Sequence, residues 1–217
     1  MDKRLVINRA LSFLGERSIT NPDAPETPSG KFMVDQFDQA RREVLRRYPW
    51  NFAETWANCD RTTAPVFGYS DAYSLPPDFL RLLIVGDVVS NDDRNRNYRL
   101  LNQGSPDFRK VIALNNCGAP KLPIAYTADI TLLSQWDSLA IKVFAIWLAM
   151  DAAKSITGED SQVKTLNDLL SEELKDAVAV DGQEQPMRMQ VFSNVQRERD
   201  YAQFGGEGFF TNVAGYY

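Results

Sequence analysis

The 217-residue chain contains no histidine. That absence removes the commonest general base, the commonest metal ligand and the usual switch near neutral pH. Ser-His-Asp triads, Cys-His pairs and histidine-based zinc sites are all excluded. Cysteine is scarce too: Cys59 and Cys117 stand far apart, with no C-x-x-C spacing. Spacing alone does not decide for or against a disulfide, and two thiols in a chain this long most simply suggest a reducing compartment. Long apolar runs are missing as well. The most apolar stretch, 139–150, includes Lys142 and falls short of the roughly 20 residues that span a bilayer. The N-terminal Leu5-Val6-Ile7 is interrupted by Asn8 and Arg9, and reads as part of an amphipathic helix rather than a signal peptide. A soluble protein with no cofactor and no membrane partner is expected. A basic excess is also lacking: 24 basic residues stand against 29 acidic ones, for a net charge of −5. This argues against a sequence-independent nucleic-acid binder, although not against local patches.

What the chain does have is a well-marked stretch at 35–52, DQFDQARREVLRRYPWNF. Phe37, Ala40, Val44 and Tyr48 recur at three- and four-residue steps and share a helix face. Arg41, Arg42, Arg46 and Arg47 occupy the other faces. Pro49 ends the helix, because its ring and missing N–H do not fit the turn. Trp50 and Phe52 follow at once, and their simplest role is core packing.

Around this stretch the periodicity divides the chain. Residues 3–15 form a short helix with Val6, Ala10, Phe13 and Leu14 on its apolar side and Gly15 in the left-handed position after its end. Three prolines at 21–28 make a loop. Ser29 is placed to cap the second helix, over 29–49. Between 55 and 132 strand signals replace helical ones. Extended pieces are expected at 71–75, 79–89, 98–101, 111–114 and 122–132, in a small antiparallel meander with Gly86 as a candidate bulge. Ile124, Tyr126, Ala128 and Ile130 should face one side of it. Helices resume at 138–157, capped by Asp137 or Ser138 and ended by Gly158, and at 160–180. The first is apolar nearly all round and should be the central buried helix. Residues 181–217 show no periodic face. Their composition fits either a tail or an extended arm, and their aromatics favour an arm that docks on a neighbour. The expected class is therefore α+β: a bundle of about four helices forming one domain over 1–180, a small antiparallel sheet platform between helices two and three, and a C-terminal arm.

Candidate chemistry is thin. The four arginines at 41, 42, 46 and 47 fit phosphate binding, but equally a solvated helix face or inter-subunit ion pairs. Asp93, Asn95 and Asn97 imitate a calcium loop, yet Tyr98 stands where the glycine belongs and Gly104 where the closing glutamate belongs. Gly205-Gly206-Glu207-Gly208 is too short and too acidic to cradle phosphate. Glu172, Glu173 and Asp151 offer carboxylates for glycosidase chemistry, as exposed helix faces ordinarily do. No catalytic or metal-ligating set emerges.

Three ordered stretches carry a resemblance: Ala10-Leu11-Ser12-Phe13-Leu14-Gly15 with Tyr48-Pro49-Trp50-Asn51-Phe52; Tyr73-Ser74-Leu75-Pro76-Pro77-Asp78-Phe79-Leu80-Arg81; and Ala125-Tyr126-Thr127-Ala128-Asp129-Ile130-Thr131 followed by Trp136-Asp137 and an apolar helix. In that order they resemble the tail tubular protein A family of short-tailed bacteriophages, over residues 3–180. The resemblance implies a non-enzymatic virion protein, assembled in the host cytoplasm. It implies a ring, commonly of twelve subunits, below the portal protein. That ring extends the DNA channel, without specific DNA binding, and carries the nozzle formed by tail tubular protein B or other tail proteins. Trp50, Phe52, Pro76, Phe79, Trp136 and Trp147 are then the expected structural anchors. Phe192, Tyr201, Phe204, Phe209 and Phe210 of the arm, with the four arginines, are the expected contacts to portal or neighbour. Competing readings are a virion-associated peptidoglycan hydrolase using Glu172 or Glu173, a DNA-binding accessory protein using the arginines, and another connector or stopper ring.

Overall fold

The structure, a computed structural model, describes residues 2–62, 68–86, 98–103, 109–115 and 117–184. Its elements run in the order α1 (Lys3–Phe13), α2 (Pro28–Arg47), β1 (Glu54–Asp60), β2 (Asp71–Ser74), β3 (Phe79–Val85), β4 (Arg99–Gln103), β5 (Arg109–Leu114), β6 (Lys121–Ala128), α3 (Ser138–Thr157) and α4 (Asp160–Glu184). The class is α+β, with two helices before the strands and two after.

Helix α3 is the centre of the bundle. Asp137 accepts hydrogen bonds from the Leu139 and Ala140 amides at its start, and Gly158 closes it at φ 72°. Its buried residues, from Ala140 and Ile141 to Ala152 and Ala153, leave almost no solvent face, and α1, α2 and α4 all pack on it. Helix α1 contributes Val6, Ile7, Ala10 and Leu11 to the same core, and α4 contributes Leu166, Leu170 and Ala177.

Helix α2 starts one step earlier than its polar residues suggest. Thr27, not Ser29, is the cap: its hydroxyl accepts the Gly30 amide at 3.0 Å. Pro28 explains the difference. Proline suits the first helical position and forces an extended conformation on the residue before it, which is the conformation a cap needs. Thr27 is extended at φ −116° and ψ 148°. Ser29 instead donates to Glu16 and ties the loop back to the end of α1.

The strands form two antiparallel three-stranded sheets, ordered β1-β6-β3 and β2-β5-β4. Among the described residues only β4 and β5 are both consecutive in sequence and hydrogen-bonded neighbours within one sheet, so the platform is not a meander. Strand β6 takes the middle of the first sheet because it is buried along nearly its whole length, from Leu122 to Ala128, as a strand flanked on both edges and covered on both faces must be. Tyr126 sits opposite Thr55 of β1 and Leu82 of β3. The register of β3 shifts between Phe79 and Arg81 and between Leu82 and Ile84, so the irregularities fall at Leu80 and Leu83, while Gly86 follows the strand at φ 82°. Ile124, Tyr126 and Ala128 do share a face, against Phe79, Tyr73, Ile112 and Leu114, and Ile130 packs beside them.

This inter-sheet core is distinct from the helical one, and Ile130 touches both. The two sheets meet along one seam. Arg61 at the end of β1 bridges to Tyr73 of β2, and the Thr62 amide donates to the Ala72 carbonyl at 2.7 Å. Asp71 fixes the seam. It pairs with Arg61 and accepts from the Ser70 hydroxyl at 2.7 Å and the Cys117 amide at 3.0 Å. Burial works against its charge, but these hydrogen bonds and Arg61 together hold its carboxyl below the ordinary range.

The expected arm began at 181, whereas α4 continues to Glu184. Asp181 supplies the reason: its carboxylate accepts the Asn51 amide at 3.1 Å, and its own carbonyl accepts from the Asn51 side chain. Among the described residues, no helix is long and apolar enough to cross a membrane.

Candidate interaction surface

The arginine-rich end of α2 is not one patch. Arg41 is 6% exposed and bidentate on Asp129, at 3.0 Å and 3.1 Å, with Asp38 as a second acceptor. Such a fork-to-carboxylate pair joins the bundle to the end of β6 and leaves Arg41 no free face for a partner. Arg42 shares Asp129 from the solvent side, at 3.0 Å. Arg47 lies over the Trp147 ring, 4.8 Å from its centroid. Arg46 is exposed and points to the β layer. About two helical turns thus spread four like residues over three environments.

The expected anchors behave as packing residues. Trp50 is buried and its indole N–H donates to the Val44 carbonyl at 3.1 Å, so the chain folds back on the helix it has just left. Phe52 lies between Trp50 and Trp136, with ring centroids 6.0 Å and 5.1 Å away. Trp136 donates to the Ile130 carbonyl at 3.0 Å. Pro76 lends its carbonyl to the Phe79 amide in the turn before β3, and Phe79 stacks on Tyr126. Trp147 is half-buried, and its N–H donates to Glu43 at 3.1 Å. Phe192, Tyr201, Phe204, Phe209 and Phe210 lie outside the described residues, as do Asp93, Asn95, Asn97 and the 205–208 glycines.

The carboxylates considered for hydrolysis do not converge. Glu173 pairs with Lys142 across the α3–α4 interface, and Glu172 is exposed. Asp151 sits near Glu43 instead. Partial desolvation raises its carboxyl to about 6 even though the residue keeps an exposed face, and the Glu43 charge adds to this, while the Trp147 N–H pulls the other way. Cys59 is buried and its thiol is pushed up to about 11, first by burial and then by Asp60, which makes it a poor nucleophile. Cys59 and Cys117 are both free thiols. Among the described residues no group of three or more carboxylate or thiol side chains is arranged to hold a metal ion.

Opposite the β1–β2 seam the two sheets are apart. Between β3 and β4 opens a cleft of about 340 Å³. Arg81 and Leu82 line one wall, Tyr98 and Leu100 the other, with Lys110 of β5 and Arg46 of α2 beside them. Tyr98 is 40% exposed and Leu100 47%. Arg81 is held across the C-terminal end of α2, donating to the Arg46 and Arg47 carbonyls at 3.3 Å and 3.4 Å. Three cations therefore border the cleft, and no carboxylate does among the described residues. These residues escape sequence reasoning because a meander would pair the consecutive strands β3 and β4, whereas the observed order puts β3 on β6 and β4 on β5 and leaves a cleft between them.

Fold and surface together define an α+β protein whose β layer is closed on one side and split on the other. In comparison with known proteins, no family model matches this chain and no curated protein matches it.

Proposed function

We propose that the chain is a structural subunit of a bacteriophage neck, a head-to-tail adaptor of the tail tubular protein A type that rings the DNA channel beneath the portal. The observation that carries this reading is the element order: a helix pair, a small β platform, then a central apolar helix with its partner. That order is the one implied by the three sequence stretches. The dispersal of Arg41, Arg42, Arg46 and Arg47 favours a packing module over a phosphate grip. The separation of Glu172, Glu173 and Asp151 disfavours a two-carboxylate hydrolase. A net charge of −5, repeated around a ring, would repel phosphate and let DNA slide. Assembly proceeds by burial of faces between head-to-tail neighbours, closed by rotation.

The test mixes the purified full chain with portal rings from the same source and reads mass by light scattering and shape by negative-stain microscopy. A portal ring gaining a second tier is the expected result. A chain that leaves the portal bare at every ratio overturns the adaptor reading.

A further inference from the structure

Within the compact unit Met1–Glu184 the helical core and the inter-sheet core share one described residue, Ile130. Bodies joined so thinly are free to move against each other unless something holds them. The chain crosses between them twice, at 53–54 and at 128–130. The crossings lie side by side, because Glu54 pairs with Thr127. Buried Arg41, bidentate on Asp129, fixes this place. The third strand of the same sheet meets the bundle differently. Arg81 of β3 stands opposite Thr127, about 5 Å further across the sheet, and it is exposed. Leu80, half-buried, is alone among the described apolar residues of β3 in packing on the helical core.

The end of α2 explains what Arg81 does. In a continued helix the Arg46 and Arg47 carbonyls would accept from the amides of residues 50 and 51. Pro49 stops that. Tyr48 is extended at φ −129° and ψ 143°, the Trp50 amide donates to the Tyr48 carbonyl at 3.0 Å, and the Asn51 amide donates to Asp181. Arg81 supplies a donor from the other layer. Its Nη1 reaches both carbonyls, at 3.3 Å and 3.4 Å, and its charge suits the negative end of a helix. These bonds are longer than the ordinary limit of about 3.2 Å and face solvent, so water takes their place at small cost. We propose that the β layer turns as one body on the helical bundle about the paired crossings, and that Arg81 is the latch that holds it closed. The buried Arg41–Asp129 pair stays made through the turn, and the exposed Arg81 contact breaks. The device stands whether or not the chain is an adaptor.

Spin labels on Lys164→Cys of α4 and Asn58→Cys of β1, both exposed positions, read the distance between the two bodies in the full chain by pulsed electron paramagnetic resonance. Cys117→Ser is carried throughout, and Cys59 stays because burial and its raised thiol keep it from labelling. With Arg81 in place the distances should form one narrow peak. Arg81→Ala should at least double its width or add a second peak, with the wild-type circular dichroism kept. Arg81→Lys, which keeps a cationic donor, should lie between. Lys121→Ala, an exposed change at the far end of β6, should leave the peak narrow. An Arg81→Ala distribution that superimposes on its parent's, narrow or broad, overturns the proposal. So does equal broadening by Lys121→Ala. Loss of circular dichroism in Arg81→Ala overturns it too, because a contact whose removal unfolds the chain is a structural cap rather than a latch. Mixing with portal rings tests the adaptor reading separately, since neither result there moves this comparison of free chains.

Discussion

Arg41 and Arg42 share one acceptor, Asp129, and differ in exposure: 7% against 56% of the side chain. That difference decides their energetic weight. Removing the buried partner takes away the two-pronged bond to the largely buried Asp129 and leaves that carboxylate only the solvated Arg42, whereas removing the solvated one leaves the bidentate pair intact. Arg41→Ala should therefore cost about 3 kcal/mol in urea unfolding, and Arg42→Ala less than about 1 kcal/mol. Equal losses would show that Arg41 does not lock the bundle to β6. The distinction was half legible in the sequence. Arg41 lies four residues after Phe37 and three before Val44, on the edge of the apolar stripe, whereas Asp129 lies 88 residues away with no local sign of its role. Asp151 makes the second residue-scale prediction. Its carboxyl is raised from the ordinary 3.8 to about 6, so the folded chain holds a proton that the unfolded chain has released. The resulting destabilisation is absent below about pH 4 and complete above about pH 6. Asp151→Asn should then stabilise the protein at pH 7.5 by about 1 kcal/mol, discounted because the residue stays open to solvent, and by nothing measurable at pH 4. A gain that is the same at both values would remove the raised Asp151 carboxyl, held up first by desolvation and then by Glu43, as its cause.

Elements differ in how openly the sequence announces them. Helix α3 is legible because two independent signals agree: an apolar run too long for a strand, and Asp137 and Gly158 at its ends. Strand β1 is not, because ETWANCD has few apolar residues and turns Trp56 outward, 57% exposed. Sheet order is hidden for a more general reason: strands of four to eight residues with similar patterns carry little record of their partners. The start of α2 shows a local rule overriding a compositional one, since Pro28 fixes the cap at Thr27. Gly30, in the first turn, tests that packing. A Cβ there would stand 2.4 Å from Ile19 Cγ2 and 2.9 Å from the capping Thr27 Oγ1. Ile19 is 2% exposed and cannot yield. Gly30→Ala should cost about 2 kcal/mol despite alanine's better helix propensity. Gly182→Ala in α4 meets nothing within 4 Å and should stabilise by a few tenths, at most about 1 kcal/mol. Thermal unfolding reads both signs, and a stabilising Gly30→Ala would mean the α2 entry is looser than drawn.

At the scale of the whole molecule, the end of α4 decides where the folded unit stops. Composition sets that end near 180, because DGQE reads as the beginning of a polar arm. Tertiary structure sets it at Glu184, because Asp181 is 7% exposed and clamps the backbone of Asn51, 130 residues earlier. The clamp sits where the aromatic turn leaves α2, so it ties the last helix to the stretch that also holds Trp50 and Phe52. Its carboxyl is nonetheless raised by burial, and the Asn51 amide only partly compensates. Two truncations separate these boundaries. A chain ending at 184 keeps both hydrogen bonds and the buried residues of both cores, and should unfold in urea with the midpoint of the full chain. A chain ending at 180 leaves the Asn51 amide and side chain to water and exposes the turn beneath, at a cost of about 1–3 kcal/mol. If the two truncations unfold alike, Asp181 adds nothing to stability and the fold ends where the composition changes. If they differ as expected, residues 181–184 belong to the fold, and the composition change at 181 does not mark its boundary.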